Sequence, residues 1–289
     1  MSTYPEPPQK EHPSTYFVQN RDNQDELTRV TVQDHMITAS MGGVLPEQPD
    51  PAIFRRVLDV GCGTGGWIIE AARQYPEMLL IGIDVSKRMI DYAREQAEAA
   101  QVSDRVEFHA MDALRILEFP DEFFDLVNMR CGGSFMRTWD WPKLLDEMLR
   151  ITRSGGIIRD TEPEILHYDT SPALMQFWEM FQCAMFRSGH LFAEDTTGII
   201  AHLPGLLTRH GCEQVQTRDH ALEHHAGTEG GEAYYTTMMH GIRTLRPFLD
   251  KWGCVNCDYD AMYQQALTEM RQDTFHSTWN LRTAWGIRP

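Results

Sequence analysis

The chain has no basic excess, no long apolar run and few cysteines, and each shortage removes a class of protein. Lysine and arginine number 26 against 42 aspartates and glutamates, a formal charge of −16 over 289 residues. Gripping a nucleic-acid backbone takes a basic surface. No basic run occurs, so a small-molecule partner is expected in place of RNA or DNA. No window approaches the ~18 apolar residues of a membrane span, so no membrane partner is expected. Met1 to Gln9, with Pro5, Pro7 and Pro8, lacks the basic and apolar regions of a signal peptide, which makes the cytoplasm the expected location. The six cysteines, Cys62, Cys131, Cys183, Cys212, Cys254 and Cys257, are expected to be reduced there. The lone C-x-x-C, Cys254 to Cys257, has no second pair; zinc would need histidines at fixed spacing, and His220, His224 and His225 among the twelve leave that alternative open. It reads as a surface loop with two free thiols, and no metal is expected.

What the chain does have is Val57-Leu58-Asp59-Val60-Gly61-Cys62-Gly63-Thr64-Gly65-Gly66-Trp67. A short apolar run reads as a buried strand and breaks into four glycines, after which an amphipathic helix runs to Pro76. Glycine permits a tight turn and close approach of a ligand to the backbone. Free N–H groups at the helix start suit a carboxylate or phosphate. Gly61, Gly63 and Gly66 also satisfy G-x-G-x-x-G, which admits a dinucleotide. Three features tilt the choice away from it: Asp59 inside the strand, Asp84 ending the strand Leu79 to Ile83, and Met111-Asp112 after the strand Val106 to Ala110.

Elsewhere strands and helices alternate from Arg56, which predicts an α/β fold with a parallel sheet covered on both faces. Ligands in such sheets sit outside the carboxyl ends of the strands. The loops after Val60, Ile83, Ala110, Met129 and Thr161 therefore converge on one site. Ahead of the sheet, Met1 to Pro13 reads as a flexible tail and Asp22 to Met41 as a helix stopped by Gly42-Gly43. Beyond Glu162, helices are expected over Pro172 to Gly189, Asp195 to His210 and Gly227 to Met270, the last broken around Trp252 to Asp258. Strands are expected over Glu213 to Leu222 and Ser277 to Gly286.

Taken together these motifs resemble the class I S-adenosylmethionine (SAM)-dependent methyltransferases, over roughly Arg56 to Glu162. The resemblance includes Phe124 to Arg130 as a fourth strand. Leu145 to Gly156 looks like the helix and Gly-Gly turn into a fifth. It implies a Rossmann-like seven-stranded sheet, mostly parallel with an antiparallel last strand. Residues 1–50 would be a tail and helical cap. Residues 51–289 would be the SAM-binding domain, with helical lid insertions at about 163–193 and 226–275. The glycine loop, Asp59, Gly61, Cys62, Gly63 and Gly65, would hold the methionine part of SAM. Asp84 with Val85 would take the ribose diol, Met111, Asp112 and Ala113 the adenine, and Asn128 and Arg130 would complete the cofactor site.

Methyl transfer is an in-line displacement that the cofactor's positive charge activates, so the protein mainly positions the acceptor and excludes water. A base is needed only where the acceptor must lose a proton. Glu162, after the fifth strand, and His190 are the candidates, each with a structural alternative, and His167 is a further titratable group there. Tyr16, Phe17, Cys131, Glu164, Trp178, Phe181 and Phe186 are the candidate acceptor contacts. The helix at 174–186 is either core or the wall of an apolar pocket. Such a wall suits an apolar or cationic acceptor. The resemblance extends to sterol- and prenyl-type and natural-product enzymes of secondary metabolism, with C-, O- or N-methylation all open. The Asn/Asp-Pro-Pro-Tyr pattern of nitrogen methylation on nucleic acids or protein amides is absent at Asn128 to Gly133. The expected function is methylation of a small, largely apolar metabolite. An NAD(P)-dependent oxidoreductase and a non-catalytic SAM-binding protein are the rivals. The apolar insertions also leave room for a homo-oligomer.

Overall fold

The computed structural model describes residues 15–18, 23–194 and 198–289. The expected tail Met1 to Pro13, the helix start at Asp22 and the start of a later helix at Asp195 lie outside the described residues. Eight helices and eight strands are described: α1 (Gln24–Ser40), β1 (Arg56–Val60), α2 (Gly66–Gln74), β2 (Leu79–Asp84), α3 (Lys87–Ala99), β3 (Val106–Ala110), β4 (Phe124–Arg130), α4 (Trp141–Ile151), β5 (Thr152–Pro163), β6 (Tyr168–Asp169), α5 (Pro172–Arg187), α6 (Leu203–Arg209), β7 (Glu213–His225), α7 (Glu229–Lys251), α8 (Tyr259–Glu269) and β8 (His276–Ile287).

Strands β1 to β5 pair in parallel in the order β3-β2-β1-β4-β5. β8 runs antiparallel to β5 along one edge and to β7 along the other. The short β6 pairs with Ser277 and Thr278 of β8. Because β7 already fills the far edge there, β6 prolongs the β5 edge after a kink at Glu164 to His167. The sheet thus has eight strands where seven were expected, the extra one being a two-residue continuation.

Helices cover both faces, as a parallel sheet requires. Val57, Leu58 and Val60 are at most 1 % exposed, so β1 is apolar on both sides apart from Asp59. Side chains fix the helix starts: Ser86 Oγ accepts from Met89 N, Ser171 Oγ from Leu174 N, Thr228 Oγ1 from Gly231 N and Asp258 Oδ1 from Ala261 N. Each satisfies an amide that the helix cannot. Two boundaries differ from expectation. α4 ends at Ile151, ahead of Gly155-Gly156, because β5 already begins pairing at Thr152 opposite Phe124. The glycines sit instead at a register shift inside that ladder. The sixth covering helix is limited to Leu203–Arg209 among the described residues.

The cysteines correct another expectation. Cys183 on α5 is disulfide-bonded to Cys254 in the turn after α7, with Cα atoms 6.0 Å apart. Cys254 is therefore neither free nor exposed, and the C-x-x-C is not a two-thiol surface loop. No helix among the described residues is long and apolar enough to cross a membrane. No group of three or more metal-ligating side chains occurs among them.

Candidate active site

β1 delivers the chain to a turn in which Gly61, Gly63 and Gly65 adopt φ of 71°, 52° and 77°. Glycine alone enters that left-handed region freely. The amides of Gly61 and Cys62 both donate to the carbonyl of Ile83, at 2.8 and 2.9 Å, which ties the turn to the carboxyl end of β2. Asp84 completes that join. Its Oδ2 accepts from Gly63 N at 3.1 Å and its Oδ1 from Ser86 N at 2.7 Å. Asp112, just past β3, accepts from Leu114 N at 3.0 Å and lies 3.4 Å from Arg115.

These groups open on one cavity of about 1850 Å³. Single-ligand pockets hold ~300–1,000 Å³, so this one has room for two ligands side by side. Of the expected cofactor residues, its wall carries all but Gly65 and Asn128. Gly65 instead caps α2, and a Cβ there would lie 2.7 Å from the Phe108 ring. Asn128 belongs to β4, not to a loop, and is fully buried. The cofactor end fits an adenosyl group. Val85 and Ile116 line it while remaining 49 % and 72 % exposed, as do the carboxylates of Asp84 and Asp112, apolar and acidic groups that suit a base and a diol.

Asp59 faces the same cavity from inside β1. Asn128 donates to it from the adjacent strand, and Arg159 Nη1 donates to Asn128 Oδ1 at 2.6 Å. The Arg159 Nε in turn holds Glu47 at 2.7 Å, both side chains being almost fully buried. Burial raises the Asp59 carboxyl to about 7, against the opposing pull of Asn128 and Arg159. The site therefore holds a carboxyl that titrates near neutrality.

Glu162 lies within β5 and is 1 % exposed. Its Oε2 accepts from Gly133 N at 3.1 Å, and its carboxyl lies within hydrogen-bond reach of that of Asp160. Asp160, two residues earlier on the same strand face, has both oxygens buried, with the Thr161 amide and the Glu162 carboxyl beside them. Burial raises Asp160 to about 7, and raises Glu162 further because the charge of Asp160 adds to it. Two carboxylates in so dry a place share a proton near neutral pH. Glu164 is not part of this pair; its Oε2 accepts from Asn280 at 2.9 Å. Cys131 lies beside Glu162, and burial pushes its thiol up to about 12, so it stays neutral.

α5 supplies an aromatic wall through Phe177, Trp178 and Phe181. Phe186 does not belong to it: five residues beyond Phe181, roughly 140° round the helix, it is 37 % exposed. His167 stacks between Trp178 and Trp279, with ring centroids 3.8 and 4.6 Å away. Its Nδ1 lies 2.8 Å from Tyr234 Oη, which donates to Asp169 at 3.1 Å. One phenolic hydrogen serves Asp169, so Nδ1 of His167 carries its own. Burial holds His167 well below the ordinary histidine value, and the ring is neutral. His190 does not line the cavity. Its Nδ1 meets Ser188 Oγ at 2.7 Å and its Nε2 the carbonyl of Thr15 at 3.0 Å. Burial lowers it to about 4, so it is a neutral tether for the N-terminal segment with no free nitrogen for an acceptor.

That segment brings Tyr16 and Phe17 to the cavity wall. The group that holds them was not foreseen. Tyr16 Oη donates to Glu26 at 2.5 Å, and Arg29 clamps the same carboxylate at 2.7 and 2.8 Å. Glu26 and Arg29 are one helical turn apart and gave a signal only as an i,i+3 pair. The closure with Tyr16, and that of Asp169 with Tyr234, are long-range and leave no local pattern.

Comparison with known proteins fits this geometry. Residues 57–156 match the family described as a methyltransferase domain. The chain is 42 % identical over 102 residues to a demethylmenaquinone methyltransferase of Deinococcus radiodurans, covering 35 % of this chain and 40 % of that protein. The match thus spans less than half the relative's length. Among solved structures, Haemonchus contortus phosphoethanolamine N-methyltransferase 2 with S-adenosylhomocysteine aligns over 94 % of this chain and 60 % of its own, at TM-score 0.52 and 16 % identity. A geranyl diphosphate methyltransferase with SAM aligns over 94 % of both chains, at TM-score 0.50 and 13 % identity. The structural likenesses establish the fold, a Rossmann-like sheet.

Proposed function

We propose that this chain, which carries a methyltransferase domain at residues 57–156, moves a methyl group from SAM to a small, largely apolar acceptor. The family match removes the ground for a nicotinamide enzyme, which rested on the glycine spacing alone. When bound, SAM supplies a methyl group on a positively charged sulfur. The remaining work falls to this chain's residues. The glycine turn and Asp59 hold the amino-acid end, Asp84 the ribose and Asp112 the adenine edge. The aromatic face of α5 packs the acceptor, and the Tyr16-Phe17 strap, fastened by Glu26 and Arg29, shuts out water.

One observation carries the acceptor side. Glu162, buried and sharing a proton with Asp160, lines the cavity that Asp84 and Asp112 also line. A carboxyl so placed accepts a hydrogen from an O–H or N–H nucleophile, or faces positive charge on the acceptor, and Asp160 beside it takes up the proton balance. The low overall basicity favours a small molecule. So do the acceptors named for demethylmenaquinone and geranyl diphosphate methyltransferases. An isoprenoid or aromatic metabolite fits the wall of Phe177, Trp178 and Phe181.

The test is methyl transfer from labelled SAM to a panel of aromatic and prenylated alcohols, phenols and amines. Glu162→Gln should lower kcat by about 10²–10⁴-fold on a hydroxyl or amine acceptor while leaving S-adenosylhomocysteine affinity unchanged. Turnover that ignores the substitution would reduce Glu162 to a structural group. Cofactor binding without turnover on any acceptor would support a non-catalytic SAM-binding protein.

A further inference from the structure

Five arginines line the cavity, and four are already engaged. Arg29 is paired with Glu26 at 2.7 Å, Arg130 with Asp34, and Arg115 with Asp112 at 3.4 Å, while Arg88 donates to Gln24 at 2.7 Å. Arg137 differs. Among the described residues no carboxylate lies within ion-pair distance of it, and its Nε is buried with no hydrogen-bond partner. Asp140, the acid adjacent in the chain, is turned to the backbone amide of Arg137 at 2.9 Å. The guanidinium sits 5.5 Å from the centroid of the Trp139 ring, which supports one flat face; among the described residues no acceptor takes its N–H groups. His190, which feels its charge, is neutral. In a chain with 42 acids and 26 bases, one cavity guanidinium is thus without an acid among the described residues. A partly buried guanidinium lacking a counter-charge costs free energy unless a ligand supplies it.

We propose that Arg137 binds an anionic oxygen group, a carboxylate or a phosphate, on the methyl acceptor. The proposal rests on the cavity serving a methyl acceptor. It makes that acceptor an amphiphile, with its apolar body on the wall of Phe177, Trp178 and Phe181 and its anionic end held by the Arg137 fork. The 131–137 segment links the two ends, since Gly133 N holds Glu162 and Arg137 follows four residues on. The planar fork matches either anion in bidentate fashion, which an ammonium does not.

The experiment titrates octanoate, octyl phosphate and octanol into the protein by calorimetry at low ionic strength, with and without S-adenosylhomocysteine. One or both anions should bind the wild type at least about ten-fold more tightly than octanol. Tighter octanoate identifies a carboxylate subsite and tighter octyl phosphate a phosphate subsite. Arg137→Gln should abolish the preference and Arg137→Lys keep part of it, with homocysteine-product affinity equal in all three proteins. The idea is overturned if the wild type binds all three probes alike, or if Arg137→Gln keeps its anion preference. The wild-type comparison decides by itself should a variant fail to fold. Failure of S-adenosylhomocysteine to bind would count against the cofactor assignment and leave the anion comparison standing.

Discussion

Asn128 Nδ2 donates to Asp59 Oδ1 at 2.7 Å, across the β1–β4 ladder in which these two residues are direct partners. The register of the sheet, not a loop, thus positions a carboxyl that lines the cavity. Asp59 is raised to about 7 by burial, so in the free protein it is half protonated near neutrality. An incoming ammonium favours the carboxylate. S-adenosylhomocysteine should therefore bind more tightly as pH rises from about 6 to about 8, and Asp59→Asn should weaken binding and flatten the profile. Stability of the free protein should run the other way. The folded state binds more protons than the unfolded, so the stabilisation is complete below the unfolded value near ~4 and is lost as pH rises through about 7. Melting curves with and without ligand over that range check both signs.

Two glycine positions separate backbone strain from crowding. Gly65 has φ 77°, and a Cβ there would lie 2.7 Å from Phe108 and 2.9 Å from Ala93. Gly42 has φ 87°, with nothing within 4 Å of its Cβ site. Gly65→Ala should cost about 1–3 kcal/mol beyond the strain term, lower Tm by several degrees and impair ligand binding. Gly42→Ala should show the strain term alone, with ligand affinity unchanged. Equal losses at the two sites would contradict this packing of the turn.

The Cys183–Cys254 link closes a separation of 71 residues between α5 and the end of α7. Both helices line the cavity. Thiol titration of the unreduced, unfolded protein should give four reactive groups of the six cysteines. Cys183→Ser should lose up to about 4 kcal/mol of stability by the loop-entropy relation. Six reactive thiols would show the pair to be reduced.

Much of the cofactor half was legible because its signals are local. A strand, a glycine turn and an acid at the next strand's end follow one another within Val57 to Asp84, and each has its own chemistry. The α7–α8 break was equally visible in Trp252 to Asp258. The acceptor half was less so. Glu162 was singled out, but its companion Asp160 was hidden inside an apolar strand pattern. Arg137 sits in a loop with no motif, and its lack of an acid partner among the described residues, on which the proposed anion subsite rests, shows only in three dimensions. The disulfide escaped because a pairing over 71 residues depends on how two insertion helices pack, and the spacing of the cysteines holds no record of that. Phe186 lies on the aromatic helix, but helical rotation turns it from the cavity; His190, past the helix end, is held by Ser188 and Thr15 instead.

The central claim is that the glycine turn and Asp84 hold an adenosyl cofactor. Calorimetric titration with S-adenosylhomocysteine, beside NADH, on the wild type and Asp84→Ala tests it most directly. Micromolar binding of the homocysteine product, lost in the variant and absent for NADH, is the predicted result. Absence of binding, or binding that survives the loss of Asp84 unchanged, would contradict the account.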